Sequence, residues 1–197
     1  MCGRYELGMD DEALLEIVDE LKRRAGLEDV KLSGEVFPTD VVPVIARGRS
    51  GGVSVFPMKW GYALPDGKIA INARSETAIE RALFKDGMLH RRCLIPATNY
   101  YEWEKRGRER VKYAIRPGGR ILYMAGIYRM ENERPEFVIL TRDAAPGIQF
   151  IHNRMPVMFS EDVKDAWLDR NSDPEEVLRQ AVQGVEYTPK SPQQLHI

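Results

Sequence analysis

The sequence predicts a single α+β domain over residues 1–197, built on a curled antiparallel β-sheet or barrel core with flanking helices. Three observations predict it. Strand-like runs crowd the middle of the chain, separated by short turn-rich gaps. Helical spacing of apolar residues appears near the two ends and once, briefly, between them. The length of 197 residues with 43% hydrophobic content suits one core, and no repeat, low-complexity linker or break in composition divides it.

Each element has a local cause. Leu14, Leu15, Ile17, Val18 and Leu21 recur at helical spacing over 11–25, with Asp10 or Asp11 as start cap and Gly26 as end. Strand texture begins at Val36-Phe37-Pro38 and continues where Val53 and Val55 alternate with polar residues up to Trp60. Ser75 is the expected cap of a short helix through Ile79, Ala82 and Leu83. Strands are then expected at Cys93-Leu94-Ile95, Tyr100 to Trp103, Val111 to Ile115, Ile121 to Tyr128, Phe137 to Leu140 and Met155 to Phe159, with turns at Gly107 and Gly118-Gly119. Ser160 is expected to open a helix to Leu168, and Asp173-Pro174 a last one to about Gly184, with proline at the first helical position. Such closely spaced strands favour antiparallel hairpins over parallel crossovers.

Composition narrows the function classes. Two cysteines, Cys2 and Cys93, make no disulfide framework, and His90, His152 and His196 are too scattered for a metal cluster, so neither metal nor cofactor is expected. No apolar run approaches a membrane span and no signal-peptide pattern opens the chain, which predicts a cytoplasmic protein. The net charge of −1 excludes a generally polyanion-binding surface. A nucleic-acid partner would need a local basic groove. Arg91-Arg92 and the run Lys105 to Arg110 supply local excess, although the second run has the texture of a solvated hairpin tip.

Chemistry concentrates at a few positions. Cys2 directly follows Met1. Removal of Met1 would expose a 1,2-aminothiol, which condenses with an aldehyde through its amine and then closes a five-membered thiazolidine through its sulfur. Glu102 lies within Tyr100-Tyr101-Glu102-Trp103, where aromatic neighbours would take it out of water and suit it to proton transfer; a solvent-facing strand glutamate is the ordinary alternative. His152 sits in a loop before a strand, as a proton shuttle, a phosphate ligand or a satisfied loop residue. Asn72 could hold a substrate carbonyl or the N-terminal amine, and Arg74, ahead of a helix start, could hold a phosphate. Trp60, Tyr100 and Trp103 could stack bases or pack in the core. Cys93 reads as a buried strand residue.

The ordered blocks Met1-Cys2-Gly3-Arg4-Tyr5, Val36-Phe37-Pro38-Thr39, Trp60-Gly61, Asn72-Ala73-Arg74-Ser75-Glu76-Thr77, Arg92 to Ala97, Tyr101-Glu102-Trp103, Ala125 to Tyr128, Thr141 and Ile151 to Val157 resemble the SOS-response-associated peptidase (SRAP) family. The resemblance runs from Met1 to about Phe159. It implies the SRAP fold and a monomer that senses abasic sites in single-stranded DNA. It further implies a covalent thiazolidine crosslink between Cys2 and the ring-opened sugar, shielding the lesion during the DNA damage response. By the same resemblance Asn72 positions Cys2, Glu102 moves protons, and His152 assists ring opening or holds the 3′ phosphate. Arg4, Arg74 and Arg154 would form a phosphate cradle, with Pro38 and Trp60 lining the site. Peptidase removal of residues preceding the cysteine, a lyase-type activity and association with the nucleoid when DNA is bound are further implications.

The chain departs from the family pattern in several places, among them Thr98, where an acid is frequent. Asn99 replaces a usual glycine, Asn153 a usual aspartate after the histidine, and the segment between Trp60 and Asn72 is short. Two other functions use the same residues: an N-terminal-nucleophile amidohydrolase built on Cys2, and a non-catalytic module that binds single-stranded DNA.

Overall fold

The computed structural model describes residues 2–23, 29–118 and 121–190. Expectations at Met1, Gly26, Gly119, His196 and the last residues, 191–197, lie outside them. The chain runs β1 (Tyr5–Leu7), α1 (Glu12–Lys22), β2 (Gly34–Val36), β3 (Val41–Arg47), β4 (Val53–Trp60), β5 (Tyr62–Ala63), β6 (Ile69–Ala70), β7 (Asn72–Arg74), α2 (Ala82–His90), β8 (Arg92–Ala97), β9 (Asn99–Arg106), β10 (Glu109–Arg116), β11 (Leu122–Glu131) and β12 (Arg134–Asp143). A single 3-10 turn, Pro146–Ile148, leads into β13 (Arg154–Pro156), β14 (Met158–Phe159), α3 (Lys164–Leu168), α4 (Pro174–Leu178) and β15 (Glu186–Lys190).

The predicted barrel is present. β12, β4, β3, β8 and β11 pair in that order, and β11 pairs back with β12, closing five strands into a ring. β8 is buried at every position, as a strand covered on both faces must be. Closure brings backbones close at Gly126, where a Cβ would lie 2.4 Å from Ile95 Cδ1 and 3.0 Å from the Val138 carbonyl oxygen. A second sheet, in the order β15-β10-β9-β1-β2, leans on the ring and carries the N-terminus. One core cluster joins the two: Cys2, Tyr5, Trp60, Tyr100 and Phe137 are all fully buried within it. Cys93 is likewise buried, as the sequence predicts, and burial pushes its thiol up.

The helices follow their caps. Asp11 accepts from the Ala13 and Leu14 amides at 3.1 and 3.3 Å, and Leu14, Val18 and Leu21 form the buried stripe of α1. Ser75 is no cap: its amide extends the β7–β12 pairing by donating to the Thr141 carbonyl at 2.9 Å. The residues after it form turns, and α2 starts only at Ala82. Ser160 opens a turn rather than a helix, with α3 starting at Lys164, and α4 ends at Leu178 well short of Gly184. The strand expected over Met155 to Phe159 splits in two. The pivot is Val157, whose amide bonds the Leu140 carbonyl while its own carbonyl accepts from Ala125.

The preference for hairpins fails at β12, which pairs in parallel with both β4 and β7. β15, absent from the sequence reading, edges the second sheet along β10. No helix among the described residues is long and apolar enough to cross a membrane, and none of their side chains cluster as a metal site.

Candidate functional site

The site gathers where the second sheet meets the mouth of the ring. β1 pairs with β9 so that Tyr5 faces Tyr100. The residue two beyond Tyr100 on the same face is Glu102, which is 5% exposed. The solvent-facing alternative for Glu102 is therefore excluded. Cys2, just ahead of β1, is fully buried, and its thiol donates weakly to the Arg4 carbonyl at 3.9 Å. Burial pushes the thiol up, and the nearby Glu102 carboxylate pushes it further. The phenol of Tyr100 is raised by burial and by the same two neighbours, so it stays protonated.

Asn72 arrives from the other side. It opens β7, whose parallel register on β12 sets Asn72 beside Ile139. Its Nδ2 donates to the Cys2 carbonyl at 3.0 Å across 70 residues of sequence. Trp60 fixes that strand from beneath by donating from Nε1 to the Ile71 carbonyl at 3.0 Å. Trp60 is fully buried, stacked on Phe137 and tilted against Tyr5, so it supports the site and offers no face to a base. Pro38 is half-buried in a turn tied to Trp60. There Thr39, at φ 81°, donates its amide to the Trp60 carbonyl at 2.9 Å. A β-branched residue in the left-handed region is strained, and such strain gathers at functional sites.

His152 follows the 3-10 turn, and its Nδ1 accepts from the Arg154 amide at 2.9 Å. An accepting Nδ1 fixes the neutral ring as the Nε2–H tautomer, a hydrogen-bond donor. Arg154 is 7% exposed. Its guanidinium is bidentate to Glu76 at 2.8 Å, and also reaches Asp143 at 2.6 Å and the Thr141 carbonyl at 2.7 Å. Burial works against the Glu76 charge, but Arg154 holds its carboxyl below the ordinary value. Arg154 thus braces the end of β7 against the His152 loop, with most of its donors committed to protein.

The remaining arginines are more open. Arg4 is half-buried, 3.4 Å from Glu35, with its guanidinium 4.2 Å from the Phe37 ring centroid and 5.1 Å from that of Trp103. Lys112 lies over Tyr101 at 3.9 Å and also pairs with Glu35. Arg74 is exposed and, with Asn72, Thr77, Arg81, Leu83 and Phe84, lines an open cavity of about 490 Å³. Sequence reasoning missed Arg81 because only the run of turns after β7 brings it back beside Arg74. The exposed Phe37 was legible as part of its sequence block, but no signal there showed that its ring would meet Arg4.

Asn72, Glu102 and Cys2 therefore come together. Arg154 ties the residues after β7 to β12, His152 sits two residues before it in the same loop, and Arg4 and Arg74 open to the surface. A family model described as "SOS response associated peptidase (SRAP)" matches residues 1–193. The abasic site processing protein YedK of Escherichia coli is 30% identical over 193 residues, covering 93% of this chain and 86% of its own. The abasic site processing protein YoqW of Bacillus subtilis is 28% identical over 198 residues, covering 89% of this chain and 84% of its own. A crystal structure of a Bacteroides thetaiotaomicron protein superposes with TM-score 0.77 at 21% identity, covering 97% of this chain and 93% of that one. That last likeness concerns the fold alone.

Proposed function

The chain belongs to the SOS response associated peptidase (SRAP) family, and on that footing we propose that it captures abasic sites in single-stranded DNA as a thiazolidine crosslink through Cys2. Removal of residue 1, by the peptidase activity the family name records or by a separate enzyme, exposes the Cys2 amine. That amine attacks the C1′ aldehyde of the ring-opened sugar, and loss of water leaves an imine. The thiol then adds to the imine carbon while its proton passes to the nitrogen. Two bonds form at C1′, and one water leaves.

The observation that carries this reading is the Asn72 hydrogen bond to the Cys2 carbonyl at 3.0 Å, which holds the cysteine backbone beside the Glu102 carboxylate. Because burial raises the thiol, the sulfur stays protonated until a base accepts its proton. Glu102 is the carboxylate whose charge reaches it. His152, with Nε2–H as donor, suits the sugar oxygen or a flanking phosphate. Arg74 and Arg81 supply open cations at the cavity beside Asn72. Arg4 with Phe37 and Trp103 forms an aromatic and cationic face of the kind that grips single strands.

The test is denaturing electrophoresis with intact mass spectrometry. Protein lacking Met1 is mixed with single-stranded DNA carrying one abasic site, with Cys2→Ser and Cys2→Ala alongside. A heat-stable adduct mapped to residue 2 and lost in Cys2→Ala is expected. Failure of correctly processed protein to form any adduct would reject the crosslinking reading. Turnover of an amide substrate without DNA would favour the amidohydrolase instead.

A further inference from the structure

Three aromatic residues outside the site form an edge-to-face cluster. Tyr113 meets Phe150 at 5.8 Å and 90° and Tyr187 at 5.7 Å and 77°, and Phe150 meets Tyr187 at 5.4 Å and 70°. Tyr113 is buried, but Phe150 and Tyr187 are 47% and 45% exposed. Two large rings left half in water forgo much of their burial energy, and a contiguous exposed patch of this kind marks a surface with a partner.

The position of the patch points to that partner. Tyr113 stands directly across from Glu102 in the β9–β10 register, so the two side chains share one face. Phe150 precedes His152 by two residues. The cluster thus continues the face that holds Glu102 outward across the sheet. It also adjoins the basic hairpin tip at Gly107. Arg106 donates to the Tyr113 hydroxyl at 2.9 Å and pairs with Glu104 at 2.8 Å, while Lys105 and Arg110, paired across the hairpin, lie on its opposite face. Open aromatic rings continuous with the face of Glu102 suit stacking by the bases of an unpaired strand.

We propose that Phe150 and Tyr187 form a base-stacking platform for nucleotides flanking the lesion. This rests on the single-strand reading above and adds a second contact region to it. A strand reaching the platform is held at two places, so flank length governs affinity even though the chemistry occurs at one nucleotide.

The test measures noncovalent affinity by fluorescence anisotropy for single strands carrying a reduced abasic analogue that lacks the aldehyde. One strand has a single nucleotide on each side of the analogue and the other is about 20 nucleotides long. Phe150→Ala with Tyr187→Ala is expected to weaken binding of the long strand roughly tenfold, leaving the short strand unchanged. Phe150→Tyr with Tyr187→Phe is expected to retain wild-type affinity. Crosslinking of the short aldehyde-bearing strand should proceed at the wild-type rate in both. Equal loss on both strands, or no loss on either, overturns the platform. A change in sedimentation from dimer to monomer with unchanged DNA affinity would assign the patch to self-association and also overturn it. Wild-type protein that makes no adduct, yet loses long-strand affinity in the alanine variant, would reject the crosslink while leaving the platform standing.

Discussion

At the scale of single residues, the site turns on how Glu102 acts on the Cys2 thiol. Two effects of the carboxylate have opposite signs. As a charge it raises the thiol and makes the thiolate scarcer. As a proton acceptor it would speed ring closure. Glu102→Gln separates them, because it removes the charge and the basicity while keeping the shape. Loss of charge alone would lower the thiol toward its ordinary value and speed closure near neutral pH. Loss of a base would slow closure, by roughly 10²- to 10⁴-fold if Glu102 carries the proton. The second outcome is expected in single-turnover crosslinking, with noncovalent binding retained. Since the thiol is raised, closure in the variant should also accelerate as pH rises, because hydroxide then does what the carboxylate no longer can. Asn99 shows how a departure from the family pattern is absorbed. Its Nδ2 donates to Glu6 at 2.6 Å, and the Tyr101 hydroxyl bonds the same carboxylate, so Asn99 helps stitch β1 to β9.

At the scale of elements, close packing inside the ring is the constraint that admits one residue and refuses another. Gly126 is the most crowded of the described glycines: an added methyl would meet a side chain at 2.4 Å and a backbone oxygen at 3.0 Å. Ile95 can shift, but the Val138 carbonyl is held in a strand. Gly126→Ala should therefore destabilise the protein by about 1–3 kcal/mol, read as a lowered denaturant midpoint at unchanged slope. An unchanged midpoint would mean that the ring yields. The crowding at this glycine was not legible locally, because its neighbours come from two other strands. The strands and the amphipathic stripe of α1 were legible, since alternation and helical spacing are written in neighbouring residues. The parallel pairings of β12 were not, nor was Ser75 as a strand extension, because each depends on a partner that sequence proximity does not reveal. The site divides in the same way. Cys2, Asn72 and Glu102 stood out by residue type and sequence block. The burial of Trp60, the committed state of Arg154 and the return of Arg81 beside Arg74 needed the fold.

At the scale of the whole molecule, the charge balance sets how the protein meets DNA. A net charge of −1 gives no long-range attraction to a polyanion. Affinity must come from a few local cations, and each phosphate neutralised releases its counterions. Arg74 and Arg81 are exposed at the cavity, and Arg4 is partly open beside Phe37. Arg154 adds little, since its guanidinium is bound to Glu76, Asp143 and the Thr141 carbonyl. For the short strand, whose three nucleotides are joined by two phosphodiesters, log affinity should fall against log salt with a slope of about −1.4. The longer strand, which can offer a phosphate to all three of Arg4, Arg74 and Arg81, should show a steeper slope. Replacing Arg81 with Gln should flatten the short-strand slope by less than one and weaken binding to every sequence alike, as loss of a phosphate contact does. Anisotropy titrations at several salt concentrations measure all three slopes. An unchanged slope in Arg81→Gln would remove that cavity from the phosphate path and leave the Arg4, Phe37 and Trp103 face to carry the strand.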